Sequence, residues 1–371
     1  MRSLRDAMAV DGVYLDHAAC SPLPTPTAAA MRDYVDDFCR NGSKHWPRHR
    51  HRVEVARRHL ATLLAADASE IALIRNTTEG ITLVAEGIDW RAGDNVVVPA
   101  DEFPSNLFPW KNLASRGVEC RVVNADRSVR LDPRPLAQAC DERTRVLACS
   151  WVGYKLGDRA DLAALRAIAD RVGARLFVDA IQGLGMHPLD VHAFGIDFLA
   201  ADGHKWLLGP EGAGVLFVAR ERLGELRPLG VGWNSVADAA SFDASKMPLR
   251  DDAARYEGGT YPAVTMVGLA ASLEVLSGST PSERESHTLA LADAIRERCR
   301  QHGGTVKSPD GPHQTAITAV AFDRDVAAMR TRGLEAGIVT SVRGGSLRLA
   351  PHAYQTVEEV THAVDVLCDA E

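Results

Sequence analysis

Lys205 is a candidate catalytic residue because of its unusual sequence setting. It follows an apolar run in the segment Asp202-Gly203-His204-Lys205, and a Gly-Pro break comes shortly after it. Ligands in open α/β sheets bind at the carboxyl ends of strands, and a lysine there can act as a Schiff-base amine if its pKa is lowered. Lys205 alone could equally be an ordinary loop lysine, so a second motif is needed to distinguish the two interpretations.

A carboxylate, Asp179, ends another apolar run about one strand–helix unit upstream. A buried carboxylate needs a cationic partner, and an aspartate beside a pyridinium nitrogen keeps a pyridoxal ring protonated, so that the ring withdraws electrons from the substrate. Gln182 follows closely enough to donate to the phenolate oxygen of such a ring. With Lys205, this pair predicts chemistry at the Cα of an amino acid.

A third element is the polar segment that precedes a helical pattern and contains Thr77 and Thr78. Backbone N–H groups and hydroxyls at a helix N-terminus form a cradle for phosphate. A simple threonine N-cap is the alternative for this segment alone. The combination of the three elements favours the phosphate cradle.

Further ordered motifs extend this pattern from about residue 14 to the C-terminus. They are Leu15-Asp16-His17-Ala18-Ala19, Asn76-Thr77-Thr78-Glu79, Glu102-Phe103-Pro104-Ser105-Asn106, Val178-Asp179-Ala180-Ile181-Gln182-Gly183, Asp202-Gly203-His204-Lys205, Glu257-Gly258-Gly259-Thr260, Val342-Arg343-Gly344-Gly345 and Arg348-Leu349-Ala350-Pro351-His352. On these motifs the chain resembles the fold-type I pyridoxal-phosphate enzymes of the class V aminotransferase group. That group includes cysteine desulfurases, selenocysteine lyases and isopenicillin N epimerase-like proteins.

The resemblance implies a PLP-transferase type I fold and a homodimer with shared active sites. It implies that Lys205 is the catalytic lysine, bound to pyridoxal 5′-phosphate (PLP) as a Schiff base. It implies cofactor contacts from Asp179, Gln182, Thr77, Thr78, His204, Phe103, Tyr154, Gly259 and Thr260, of which the last two reach the partner subunit's phosphate site. It implies substrate contacts from Arg348, Arg343 and Ala18, with Arg348 holding the α-carboxylate.

Two departures from the desulfurase pattern bear on the reaction. Phe103 stands where desulfurases carry a histidine over the ring, and phenylalanine can stack but cannot move a proton. The stretch at residues 342–347 matches the loop that carries the desulfurase persulfide cysteine, and it contains no cysteine. Acid–base work then falls mainly on Lys205, and persulfide-forming activity is disfavoured.

The favoured hypothesis is therefore a C–S lyase that eliminates the Cβ substituent of a cysteine-derived substrate through a Schiff base and a quinonoid. Transamination or epimerisation of an amino acid is the alternative within the same family. A catalytically inactive scaffold of the same fold is the alternative from a different class. A nucleotide-binding dehydrogenase is disfavoured because no G-x-G-x-x-G opens an early helix.

The elements that must position these residues alternate short apolar runs with helical patterns. The runs are Val96–Val98, Arg145–Ser150, Arg175–Asp179, Phe198–Ala201 and Gly214–Val218. The alternation predicts an α/β fold with a mostly parallel, seven-stranded sheet and a smaller α+β C-terminal domain. We expect an N-terminal arm over residues 1–20 that joins the small domain, a large cofactor-binding domain over 21–264, and the small domain over 265–371.

Composition narrows the remaining function classes. The 371 residues carry 42 basic and 49 acidic side chains, a net charge of −7, which disfavours general binding to nucleic acid or to an anionic membrane surface. The basic cluster from Arg48 to Arg58 is an exception that we interpret as a solvated helix face or a surface between subunits. Seven scattered cysteines without a C-x-x-C pair argue against disulfides and zinc. We expect a cytoplasmic enzyme without a metal.

Overall fold

The computed structural model describes residues 1–128, 130–243 and 245–369. Thirteen strands are described in this part of the chain. In chain order they are β1 (Val13–Tyr14), β2 (Ile71–Ile74), β3 (Asn95–Pro99), β4 (Glu119–Val123), β5 (Thr144–Ser150), β6 (Arg175–Asp179), β7 (Phe198–Asp202), β8 (Gly214–Val218), β9 (Thr305–Val306), β10 (Thr318–Ala321), β11 (Ile338–Val339), β12 (Ser341–Arg343) and β13 (Ser346–Leu349).

Eleven α-helices lie between or beside these strands in the same described residues. In chain order they are α1 (Arg2–Asp6), α2 (Thr25–Asn41), α3 (Trp46–Leu64), α4 (Thr77–Gly87), α5 (Phe108–Asn112), α6 (Pro133–Ala139), α7 (Leu162–Val172), α8 (Ala263–Leu276), α9 (Pro281–Gln301), α10 (Val326–Glu335) and α11 (Val357–Asp369).

A seven-stranded sheet forms the centre of the molecule, with strand order β2-β8-β7-β6-β5-β3-β4. The pairings from β7 to β4 are parallel, whereas β8 runs antiparallel to both of its neighbours. Strands β6, β7 and β8 are buried almost throughout, as expected for strands covered by helices on both faces. The predicted mostly parallel α/β fold is confirmed.

Helix α7 shows how the sequence builds the layers around this sheet. Asp161 caps its first turn by accepting from the N–H of Ala164, and Gly173 ends it in the left-handed conformation. Its buried side chains recur at the three- and four-residue spacing that the sequence predicts. This stripe packs the helix against β6 and β5, and so fixes where β6 ends.

A second, four-stranded antiparallel sheet, β12-β13-β10-β9, lies near the C-terminal end of the chain. Helices α9 and α11 pack together beside it, and their apolar side chains share one buried cluster with Leu15 of the N-terminal arm. The arm also joins this region through its backbone, because β1 pairs in parallel with β11.

Helix α8 packs against α2 and α3 rather than against the small sheet. The predicted boundary between residues 264 and 265 cuts through α8, and a boundary between α8 and α9 would keep these packed helices together. Among the described residues, no single helix is long and apolar enough to cross a membrane. Helices α8 and α9 together have the required length and composition, but the chain bends by 80° at their junction.

The basic cluster at residues 48–58 lies on α3 and is only partly solvated. Arg57 is buried and donates to Glu257 from both terminal nitrogens, with Nη2 to Oε2 at 3.0 Å. Glu257 also accepts from the backbone N–H of Leu73 on β2. For Arg57 the prediction of a solvated face is therefore wrong, because its charge anchors the loop that carries Gly259 and Thr260.

Candidate functional site

Lys205 lies at the carboxyl end of β7 and is buried, with 9% of its surface exposed. The N-terminal arm holds its backbone, since the Ser21 hydroxyl donates to the Lys205 carbonyl at 2.6 Å and the Ser21 N–H donates to the His204 carbonyl at 2.7 Å. Burial lowers the pKa of the Lys205 amine, the Asp179 charge offsets part of this effect, and the Arg348 charge lowers the pKa further. This favours the neutral amine, which is the nucleophilic form.

Asp179 is the last residue of the neighbouring strand β6 and is 3% exposed. Its Oδ1 accepts from the backbone N–H of Ile181 at 3.0 Å. Burial raises the pKa of this carboxyl, although Lys205 acts in the opposite direction. No arginine, lysine or histidine of the described residues forms an ion pair with Asp179, so the site provides a buried carboxylate that lacks a cation.

Gln182 connects the end of β6 to the N-terminal arm. Its Nε2 donates to the Ala18 carbonyl at 2.9 Å, and its Oε1 accepts from the indole of Trp206 at 3.1 Å. The Trp206 ring stacks near His17 and His352, both fully buried. Because Trp206 is adjacent to Lys205, this packing fixes the loop that carries the lysine.

The start of α4 opens onto the same space. Asn76 caps the helix by accepting from the Glu79 N–H at 2.9 Å, and Thr78 donates its hydroxyl to Ser105 at 2.8 Å. The Thr77 hydroxyl is buried and has no hydrogen-bond partner. Free N–H groups and a spare hydroxyl at a helix N-terminus can bind phosphate.

His204 faces this helix end beside Asp202. Its Nδ1 is buried without a hydrogen-bond partner, although it lies 3.2 Å from Asp202 Oδ1, because the angles do not fit a hydrogen bond. Asp202 Oδ1 instead accepts from the Gly203 N–H at 2.8 Å. The Asp202 carboxylate is thus tied to the backbone, and the His204 Nδ1 is left for another partner.

Phe103 forms a partly open aromatic wall, with 45% of its surface exposed. The Lys205 Nζ lies 5.8 Å from its ring centroid, and the Tyr154 ring meets it edge-to-face at 5.4 Å. An aromatic face at this position can stack on a planar ligand, but it offers no proton donor or acceptor.

Arg348, on β13, is 1% exposed and is held by three protein groups. Its Nη2 donates to Asp16 at 3.0 Å, its Nε to the Ser341 hydroxyl at 3.2 Å and its Nη1 to the Tyr154 carbonyl at 2.9 Å. A guanidinium has five N–H groups, so two remain for a ligand. That number suits a bidentate carboxylate.

These side chains line one cavity of about 320 Å³ at the carboxyl edge of the large sheet. It brings together most of the predicted site residues, namely Ala18, Thr77, Thr78, Phe103, Tyr154, Asp179, Gln182, His204, Lys205, Arg343 and Arg348. Gly259 and Thr260 lie elsewhere, on a neighbouring cavity of about 690 Å³ that shares Asn76 and Thr78 with the first.

The residues of the cavity fit PLP. The two unpartnered buried atoms, Thr77 Oγ1 and His204 Nδ1, lie with the start of α4, where a phosphate needs donors. Asp179 lacks the cation that a pyridinium nitrogen would provide. Lys205 has the lowered pKa that Schiff-base formation requires.

The sequence reasoning passed over several groups that the structure brings to the site. Asn76 and Ser105 line the cavity, and Asp16 and Trp206 hold Arg348 and Gln182 in place. Asp16 and Ser105 lie within motifs that carried the resemblance, but sequence spacing gave no sign of their partners.

No cysteine of the described residues lines the cavity. Cys20 comes nearest in sequence, one residue after the cavity-lining Ala19, and is partly buried. Burial raises the pKa of its thiol, and the Glu211 charge does so further. A raised pKa disfavours the thiolate, the reactive form.

Comparison with known proteins places this geometry in context. The model of the family Aminotransferase class-V matches residues 13–355. A probable cysteine desulfurase from Methanothermobacter thermautotrophicus is 33% identical over 94% of this chain and 92% of its own. An uncharacterized aminotransferase, YcbU of Bacillus subtilis, is 30% identical over 94% of this chain and 92% of its own. The solved cysteine desulfurase CsdA of Escherichia coli is 27% identical, with a TM-score of 0.85 over 99% of this chain and 96% of that one.

Proposed function

We propose a reaction for this chain from the premise that it belongs to the class-V aminotransferase family and is a PLP-dependent enzyme. The proposed reaction is the elimination of a sulfur substituent from the Cβ of a cysteine-derived amino acid. It takes place without an enzyme persulfide, and it consumes one water molecule and yields pyruvate, ammonia and the released sulfur compound in its protonated form.

One observation carries this proposal: the cavity joins Lys205 and Arg348 and, within the described residues, contains no thiol. Removal of the Cα proton needs a base beside an anchored substrate, which these two residues provide. Direct attack on the substrate's sulfur needs a cysteine in the same cavity. Elimination is therefore the C–S cleavage that this chain's own residues can support.

Each residue of the cavity has a separate role in the proposed elimination. Bound PLP supplies a protonated ring that withdraws electrons from the substrate's Cα. Arg348 binds the α-carboxylate with its two spare N–H groups and so orients the Cα–H bond. Lys205 Nζ takes the Cα proton, and the Cβ–S bond breaks as its electron pair leaves with sulfur. Asp179 holds the positive charge of the ring nitrogen, and Thr77 with His204 binds the phosphate.

Transamination or epimerisation of an amino acid is the second candidate. The similarity to YcbU, described as an aminotransferase, favours transamination, which needs only Lys205 as a proton carrier. Epimerisation needs a second proton donor on the opposite face of the Cα, where the Phe103 ring offers none. An inactive scaffold is the candidate from a different class, and the complete set of charged site residues speaks against it.

We also infer a homodimer in which Gly259 and Thr260 complete the partner's phosphate site. Both residues line a cavity that opens beside the phosphate-binding start of α4. The proposed partners are an amino-acid substrate and a second copy of the chain, with no nucleic acid and no membrane. The proposed location is the cytoplasm.

Proton NMR of the holoenzyme in D₂O tests the reaction on L-cystine, L-cysteine and cysteine S-conjugates. Pyruvate that has lost its sulfur substituent supports elimination. Alanine from cysteine, with a protein mass increased by one sulfur atom, would establish a desulfurase instead. A keto acid that keeps its side chain indicates transamination, and deuterium at Cα of an intact substrate indicates epimerisation. No reaction with bound PLP favours the scaffold.

A variant sharpens the claim that no enzyme persulfide is needed. Cys20→Ala removes the cysteine that is closest in sequence to the cavity, and we expect its rate of pyruvate formation to match that of the unaltered enzyme. A loss of activity with an unchanged PLP content would contradict the proposed route.

A further inference from the structure

A second, smaller cavity of about 110 Å³ adjoins the catalytic cavity, and Tyr154 and Arg343 form walls of both. We refer to it as the side chamber. Its lining residues are Asp101, Arg127, Gly153, Tyr154, Lys155, Leu156, Asp158, Arg343, Gly344 and Ser346. None of the functions assigned above uses this chamber, apart from the two shared walls.

Three cationic side chains line the side chamber, and two of them are paired. Lys155 Nζ lies 2.5 Å from Asp101 Oδ1, and Arg127 Nε lies 2.9 Å from Asp158 Oδ2. Arg343 has no ion-pair partner among the described residues, and its Nη1 donates only to the carbonyl of the adjacent Val342. Arg343 is therefore the one cation of the chamber that is without an ion-pair partner among the described residues.

Arg127 forms the floor of the chamber and is 5% exposed. It also pairs with Glu102, at 3.3 Å from Nη1, but its Nη2 is buried and has no hydrogen-bond partner. The missing side chain of Gly153 leaves room for this arrangement, since a Cβ there would lie 2.2 Å from Asp158 Oδ1 and 3.0 Å from Arg127 Nη2. Arg127 is thus held by two carboxylates and forms a fixed part of the chamber floor.

The side chamber lies next to the residue that contacts Arg348, so it is placed to receive part of a substrate that Arg348 holds. Arg348 donates to the carbonyl of Tyr154, the residue that separates the two cavities. A substrate held by Arg348 thus has its α-carboxylate next to the shared wall. A substituent on its Cβ can extend past Tyr154 and Arg343.

We propose that the side chamber binds an anionic group, a carboxylate or a sulfonate, at the far end of the substituent on the substrate's sulfur. Arg343 and Lys155 contact this anion. The proposal deepens the proposed function and rests on it. It specifies the substrate class as cysteine conjugates whose sulfur substituent ends in an anion.

Stopped-flow binding to the holoenzyme, recorded before product forms, tests this separately from turnover. Three thioethers of similar length serve as probes: S-propyl-L-cysteine, S-(2-carboxyethyl)-L-cysteine and S-(2-sulfoethyl)-L-cysteine. Their dissociation constants follow from the absorption change of the bound cofactor. We expect at least one anionic probe to bind about tenfold more tightly than the neutral probe, and the stronger of the two identifies the anion as carboxylate or sulfonate.

Substitutions test whether Arg343 and Lys155 cause the tighter binding of the anionic probes. Lys155→Gln should reduce the preference for the anionic probe several-fold while leaving the affinity for S-propyl-L-cysteine nearly unchanged. Arg343→Gln should reduce the ratio of the anionic to the neutral affinity by at least as much, whatever it does to the binding of the neutral probe. The matched control Arg40→Gln removes an exposed guanidinium on α2 and should leave all three constants as they are. Arg127 is left intact, because its removal would strand the buried carboxylates of Asp158 and Glu102.

The outcomes separate the two proposals. Equal affinity for neutral and anionic probes overturns the side-chamber assignment, and so does a preference that survives both substitutions. Neither result affects elimination, which pyruvate formation decides. Conversely, an anion preference that depends on Arg343 and Lys155 supports the chamber even if the reaction proves to be transamination.

Discussion

The two walls of the catalytic cavity are built in different ways. The sheet wall consists of Asp179, His204 and Lys205, which stand at the ends of adjacent parallel strands. The hairpin wall centres on Arg348, in the turn-linked pair β12–β13, and its main ionic partner Asp16 lies 332 residues away in sequence. One wall follows from local strand geometry, and the other exists only when distant segments meet.

The difference separates chemistry from recognition. The sheet wall holds the groups that would bind the cofactor and move protons, and its positions are fixed by buried strands. The hairpin wall holds the groups that would bind the substrate, and its positions depend on the N-terminal arm. Substitutions in the sheet wall should therefore reduce kcat, whereas those in the hairpin wall should raise KM.

Lys205→Ala should have the largest effect. The loss of the only lysine on the cavity, within the described residues, removes the proposed base, and we expect product formation to fall by more than about 10³-fold. Rapid-quench assays of the PLP-loaded variant measure this. Lys111→Ala, at an exposed lysine that does not line the cavity, should retain normal activity. A Lys205 variant with near-normal turnover would refute the proposed mechanism.

Asp179→Asn should lower kcat by about 10²-fold, because the amide cannot hold the charge of a protonated ring nitrogen. The same change should stabilise the protein without cofactor. Burial raises the pKa of Asp179, so the free energy of unfolding falls as the pH rises from the unfolded-state pKa to the folded-state pKa, and the full loss applies above it. The melting temperature of the apo-variant should exceed that of the apo-parent at pH 8, and the gap should narrow toward pH 4. An equal gap at both values would contradict the assigned cause.

Arg348→Lys should raise KM by about 50-fold with a smaller change in kcat. A lysine keeps the charge but loses the fork that bonds Asp16, Ser341 and Tyr154 simultaneously. Steady-state kinetics separates the two constants. A fall in kcat at constant KM would show that Arg348 acts in the chemical step rather than in substrate binding.

Asp16→Asn should have the smallest effect, a rise in KM of about fivefold. The amide still accepts a hydrogen bond from Arg348, but it no longer fixes the guanidinium with a full charge. The PLP content and the absorption spectrum of the variant should stay normal, because Asp16 does not contact the sheet wall. A loss of PLP would show that the two walls are coupled more tightly than their structure indicates.

Much of the sheet wall could be predicted from the sequence, whereas the support of the hairpin wall could not. The apolar runs that end at Asp179 and precede Lys205 are continuous, so they identify buried strands and their last residues. The sequence analysis did not single out β2 and β4, since β2 is only four residues long and β4 is a half-exposed edge strand with charged residues. The resemblance led to Arg348 itself, but the Asp16 and Ser341 contacts depend on how chain ends meet, which no local pattern encodes.

The pairing of the N-terminal arm with the last strands has a consequence for how the enzyme is made. Residues 13–21 are synthesised well before their partners in β11, β13 and the Lys205 loop. Contacts of such high sequence separation form slowly, so the Asp16–Arg348 pair and the Ser21 contact with the Lys205 loop both form late in folding. The half of the site that we propose to bind the substrate therefore cannot assemble until β13 has been translated.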